Sequence, residues 1–110
     1  MLKESAYVKI HTAVPVAAAA RVRQAMGEAG AGEQGNYRHC SGSIPSTGRF
    51  VPVTGAEPAI GQVGQLTEVA EEIIAMLCHR DRLAGVIAAL KQAHPYEEPA
   101  IDIIPRLELG

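Results

Sequence analysis

The sequence predicts a single α+β domain of the ferredoxin-like type, in which two βαβ units build a four-stranded antiparallel sheet with two helices on one face. Three observations predict it: a strand-then-helix pattern near the N-terminus, a second such pattern in the C-terminal half, and the way the two superimpose in phase.

Residues 7–14 alternate as a strand, with Val8, Ile10, Thr12 and Val14 on one face and Tyr7, Lys9, His11 and Ala13 on the other. Pro15 suits the first turn of a following helix, where its missing N–H has no partner to lose. In that helix Ala18, Val22, Ala25, Met26 and Ala29 make one apolar stripe. Gly30 or Gly32 can end it in the left-handed conformation. A strand over residues 36–40 completes the first unit. In the second unit residues 73–78 form an apolar strand, followed by a helix from about residue 80 to 93. Its stripe is Leu83, Val86, Ile87 and Leu90, and Asp81 sits near its positive end. Pro95 stops this helix, because the residue before a proline resists the α region. A last strand, residues 100–104, precedes Pro105. A shift of sixty-four residues sets Val14 on Cys78, Val22 on Val86, Met26 on Leu90 and Ala29 on Ala93, a match of pattern rather than of identity.

The strand at residues 73–78 is apolar on both sides, and Ile101, Ile103 and Ile104 make the last strand similar. A sheet with one wet face should alternate, so a second cover is implied. Two helices cannot supply it; another copy of the chain can. Between the two units, residues 41–67 are rich in Gly, Pro, Ser and Thr and read as a long loop or hairpin excursion, with residues 48–53 as a short strand or hairpin arm.

Composition narrows the function classes. A chain of 110 residues, 47% apolar and 20% charged, is one globular domain and not a disordered segment. A net charge of -2 gives no electrostatic reason to expect nucleic acid or an anionic membrane. Four aromatics, Tyr7, Tyr37, Phe50 and Tyr96, make no stacking platform. The first residues lack a signal-peptide core, and no run approaches the roughly 20 apolar residues of a spanning helix, so a cytoplasmic protein is expected. Cys40 and Cys78 are too few for a disulfide framework or a thiolate zinc site. The glycines from Gly55 to Gly64 lack the lysine of a phosphate loop, and no nucleophile-elbow motif is present.

Four motifs then occur in order: Gly35-Asn36-Tyr37-Arg38-His39-Cys40-Ser41, Gly48-Arg49-Phe50-Val51-Pro52, the stretch from Gly55 through Pro58 and Ile60 to Gly64, and His94-Pro95-Tyr96-Glu97-Glu98-Pro99-Ala100. Together they resemble the inserted domain of the YqfO/Nif-three-like proteins, which is itself similar to the trimeric CutA and PII families. One departure is Ala59, where the pattern has an aromatic after the proline. The resemblance implies a CutA/PII-like homotrimer with a cleft between subunits and an effector-responsive connection at residues 41–67. The longer members carry a two-metal body that is missing from this sequence, so their cyclohydrolase-like label is not expected to transfer and a stand-alone, non-enzymatic copy is expected.

Two readings stay open for the His94–Pro99 segment. His94 with Glu97 or Glu98 suits a divalent metal or a cationic group, and the flanking prolines stiffen the backbone. Equally, a protonated His94 could cap the helix C-terminus while the carboxylates fix the turn into the last strand. Adjacent glutamates point apart in extended chain and do not form an acid/base pair. The candidate ligand-binding residues are Asn36, Tyr37, His39, Tyr96, Glu97 and Glu98. The candidate metal ligands are His94, Glu98 and His39, the last reaching across from a neighbouring subunit. Gly35-Asn36 also reads as a plain turn and Cys40 as a small buried hydrophobe. His11 falls on the predicted interface, and His79 reads as solvated. No catalytic residue is named. The expected function is a regulatory or ligand-binding homotrimer sensing a small molecule or a divalent metal ion. The alternative is a protein-interaction module that modulates a partner enzyme.

Overall fold

The computed structural model describes residues 1–110. Strand β1 (Leu2–Pro15) leads into helix α1 (Val16–Glu28), followed by β2 (Gly42–Phe50), β3 (Thr67–His79), a single 3-10 turn (Arg80–Arg82), helix α2 (Leu83–Ala93) and β4 (Ile101–Leu109). The sheet order is β2-β3-β1-β4 with every neighbour antiparallel, so both helices cross over the same face. This is the ferredoxin-like arrangement that the half-chain repeat predicts.

Register divides the sheet's side chains between its faces, because directly paired residues share one. Thr12 pairs with Ile74 and Ile101, and Ile10 with Met76. These residues, with Val8, Val14 and Cys78, point to the helices and meet Ala18, Ala19, Val22, Met26, Val86 and Leu90 in the core. The two helical stripes are therefore buried because they face β1 and β3, the two central strands.

Several element boundaries differ from expectation. Residues 36–40 are not a strand. After α1 the chain turns back on itself through a Gln34–Tyr37 bridge, and His39 takes a positive φ of 57°. Gly32 donates to the Leu77 carbonyl at 2.7 Å and accepts from the Cys40 N–H, and a Cβ at Gly32 would stand 2.5 Å from the Cys40 carbonyl oxygen. That close pass delays the true β2 until Gly42. Within the expected loop or hairpin excursion at residues 41–67, Gly42–Phe50 are β2 and Thr67 opens β3, and residues 51–66 form the hairpin loop between them. Last, β4 runs through Pro105, and β2 likewise contains Pro45. Both are edge strands, where a missing N–H is tolerated. Pro15 ends β1 with an extended ψ of 137° and precedes the helix rather than opening it.

The other face carries Ile44, Ala13, Ile73, Ala75, Leu77 and Ile104, interrupted by Lys9, His11 and Asp102. Ile44 is 64% exposed and Ile104 40%. Nothing in the chain covers them. The molecule is elongated, 50 × 27 × 24 Å. The 51–66 loop extends one end, and the paired ends of β1 and β4 extend the other.

Candidate functional site

The site lies at the end of the sheet where α1 begins and α2 ends. His94 follows the last residue of α2, and its N–H closes the helix on the Leu90 carbonyl. Its ring turns away from the helix toward β1, with Nε2 2.8 Å from the Ala13 carbonyl, while Nδ1 accepts from the Tyr96 N–H at 3.0 Å. An amide N–H can only donate, so Nδ1 is bare and the proton sits on Nε2. His94 is 6% exposed, and burial holds its pKa below the ordinary histidine value, against the opposing pull of the Ala13 hydrogen bond and the Glu71 charge. The ring is therefore a neutral strut between α2, β1 and the following turn. A protonated cap on the helix dipole is not what forms.

Tyr96 comes next and reaches across the sheet end to Glu71 of β3, its hydroxyl donating to Oε2 at 2.8 Å. Burial first, and then the Glu71 carboxylate, push the phenol above its ordinary range. The Tyr96 ring also packs edge-on against Phe50 at 5.8 Å and leans on the His94 ring at 5.0 Å. Glu97 accepts from the Glu57 N–H at 3.1 Å, which ties the turn to the hairpin loop. Finally the Thr12 hydroxyl donates to the Ala100 carbonyl and delivers the chain into β4.

These contacts enclose a half-open groove of about 430 Å³. Phe50, Pro52, Ile60 and Tyr96 form its apolar walls; Glu71, Glu97 and Glu98 supply its acidic groups. Glu71, Phe50 and Gly48 share the face of Ile44 and Ile73, because β2 residues 44, 46, 48 and 50 pair with β3 residues 73, 71, 69 and 67. The groove is continuous with the uncovered face.

Of the sequence candidates, Tyr96, Glu97 and Glu98 line this groove together. His94 stands behind it with both ring nitrogens occupied. His39 is elsewhere: its ring lies against Gly27, where a Cβ would be 2.1 Å from it. Gly27 is eleven residues along α1 from Val16, about 16 Å at 1.5 Å per residue, and α1 starts beside the His94 strut. Within one chain His39, His94 and Glu98 do not converge, and no group of three His, Cys, Asp or Glu side chains is placed to hold a metal ion. Asn36 and Tyr37 sit exposed on the loop after α1, away from the groove, with Tyr37 73% exposed. Cys40 is half-buried, and His79 accepts from the Asp81 N–H while meeting Tyr7 edge-on at 5.1 Å. Glu71, Phe50 and Pro52 are not among the residues the sequence points to as ligands, although Phe50 and Pro52 belong to the Gly48–Pro52 motif. The available signal was a pair of carboxylates, Glu71-Glu72, immediately before the apolar run of residues 73–78.

No protein-family model matches the chain. It is 46% identical over 90 residues to a GTP cyclohydrolase 1 type 2 homolog of Mycobacterium leprae, a stretch that is 82% of this chain and 23% of that protein. A Bacillus cereus protein related to NIF3 superimposes with a TM-score of 0.78 and 42% identity, covering 96% of this chain and 26% of that one. CutA from Synechococcus elongatus superimposes with a TM-score of 0.67 at 20% identity, over 98% of this chain and 85% of its own, a likeness of fold. The chain thus spans about a quarter of the length of the curated relatives it matches. It is a CutA/PII-like domain of the NIF3-related family, homologous to one segment of those longer proteins.

Proposed function

We propose that this domain is a non-enzymatic, regulatory or ligand-binding unit that assembles as a homotrimer and holds a small molecule in the groove beside Tyr96, at the boundary between subunits. One observation carries the reading: the uncovered sheet face of Ile44 and Ile73 also carries Glu71, Gly48 and Phe50 of a groove with apolar walls and a few polar groups, the usual make-up of a small-molecule site. A second copy laid on Ile44, Ile73, Leu77 and Ile104 would border the groove and close its open side. The CutA-like fold supports this assembly. The geometry favours a small molecule over a divalent metal, since the His94 nitrogens are already engaged. Turnover is not part of the proposal, because Tyr96, Glu71, Glu97 and Glu98 form no nucleophile–base pair.

The test has two parts. Sedimentation equilibrium should give three times the 11.6 kDa chain mass. Calorimetry on metal-free protein, against nucleotides and common amines and acids, should show saturable heat that is lost when Phe50 is changed to Ala. A monomer, or no heat with any compound, would sink the proposal. A second reading, an interaction module for a partner enzyme, draws on Val53, Val63 and Leu66, which are 69%, 50% and 67% exposed on the hairpin loop. A single stoichiometric protein captured through that loop, with no small-molecule heat, would favour it.

A further inference from the structure

We infer that Glu71 is the anchor of the groove, and that the ligand presents to it a cationic nitrogen, an ammonium or amidinium, on an apolar or planar body. The inference rests on the reading of the groove as a ligand site and names the ligand's chemistry. Glu71 is 6% exposed, and none of the seven ion pairs in the molecule includes it. Its Oε2 receives the Tyr96 hydroxyl, and Oε1 receives no donor from the protein. No fully buried side-chain nitrogen or oxygen lacks a partner, so Oε1, which has none, is not sealed in, and Glu71 and Gly48 both line the groove.

The position of Oε1 is built, not incidental. It lies over Gly48 of β2, where a Cβ would stand 2.0 Å away. Any side chain at residue 48 would displace the carboxylate from the groove floor. The φ of Gly48 is not positive, so its backbone does not require glycine; the carboxylate does. A nearly buried carboxylate with no counter-charge is costly to fold around. The same strand face carries Ile73, Ala75 and Leu77, which shows what packing alone would select there.

A carboxylate is an acceptor only, so its complement must donate, and a cationic donor gives the strongest hydrogen bond. The Phe50 and Tyr96 rings stand beside it and favour a cation again through their faces. The nearest basic residue on the lining, Arg49, is already paired with Glu68 at 3.0 Å and does not compete.

The experiment titrates the full chain with benzamidine, phenethylamine and the neutral benzyl alcohol, read by amide shifts in ¹⁵N spectra. The amidine and the amine should give saturable shifts at Gly48, Phe50, Glu71 and Tyr96, with benzyl alcohol at least tenfold weaker. Glu71→Gln keeps an acceptor for Tyr96 and removes the charge; it should weaken benzamidine about tenfold or more. Gly48→Ala, which pushes the carboxylate aside, should do the same and serves as the reading should Glu71→Gln fail to fold. Equal binding of benzyl alcohol and benzamidine, or an unchanged affinity in either variant, overturns the anchor while leaving a ligand groove in place. A crystal structure of the assembly with a lysine or arginine of a second copy on Glu71 also overturns it. No shift with any probe overturns the cationic ligand, and the calorimetric panel then decides on the groove itself.

Discussion

His94 accounts for the motif that stands out most in the sequence. Its neutral ring is fixed by one bond it donates and one it accepts, and a proton on Nδ1 would break the second. Its pKa in the fold lies below the unfolded value of about 6.5. The unfolded chain therefore takes up the proton first as pH falls. Stability from this group is complete above about pH 6.5 and declines below it, until the folded-state pKa is passed. Thermal melts between pH 7.5 and 5 should show that decline, and His94→Asn should flatten it. His94→Ala strands the Ala13 carbonyl and the Tyr96 N–H, and should cost about 2–4 kcal/mol in a denaturant melt. The motif could be singled out from sequence because histidine, two prolines and two carboxylates crowd into a turn. Its role could not, because the partners Ala13 and Glu71 are distant in sequence and only register brings them near.

Among the elements, the helices were legible because their apolar stripes face a core on one side, and the second half of β3 because it is a continuous apolar run. β2 was not. Its residues are Gly, Ser, Pro, Thr and Arg, with only Ile44 and Phe50 apolar, so neither strand periodicity nor propensity marks it. Pairing with β3 over nine residues holds it in place instead. Hydrogen exchange provides the check: N–H groups of residues 42–50 that bond β3 should exchange slowly, while those of residues 35–39 should exchange orders of magnitude faster. Equal rates would restore the strand expected at residues 36–40. Glu71 escaped notice for a related reason, since the strand reading began at Ile73 and left the opening carboxylates outside it.

For the whole molecule, the two-faced apolar pattern of β3 was visible in the sequence, and the structure leaves the second face without cover. Leu77→Glu tests what that face does. Lys9 lies directly opposite Leu77 and can pair with the new carboxylate, so the fold should survive. An apolar contact between copies should not, and the expected result is a monomer by sedimentation with an unchanged far-UV spectrum. A trimer that persists would place the interface elsewhere.

The prolines in both edge strands have a further consequence. A sheet can recruit another copy in two ways, by adding strands at its rim or by stacking on its face. Pro45 and Pro105 each remove a donor from one rim. Growth by strand addition, which has no natural stopping point and leads to fibres, is thereby disfavoured on both sides. Stacking on the face is left as the open route, and it ends once the face is used up. In this chain two imino acids bias self-association toward particles of finite size.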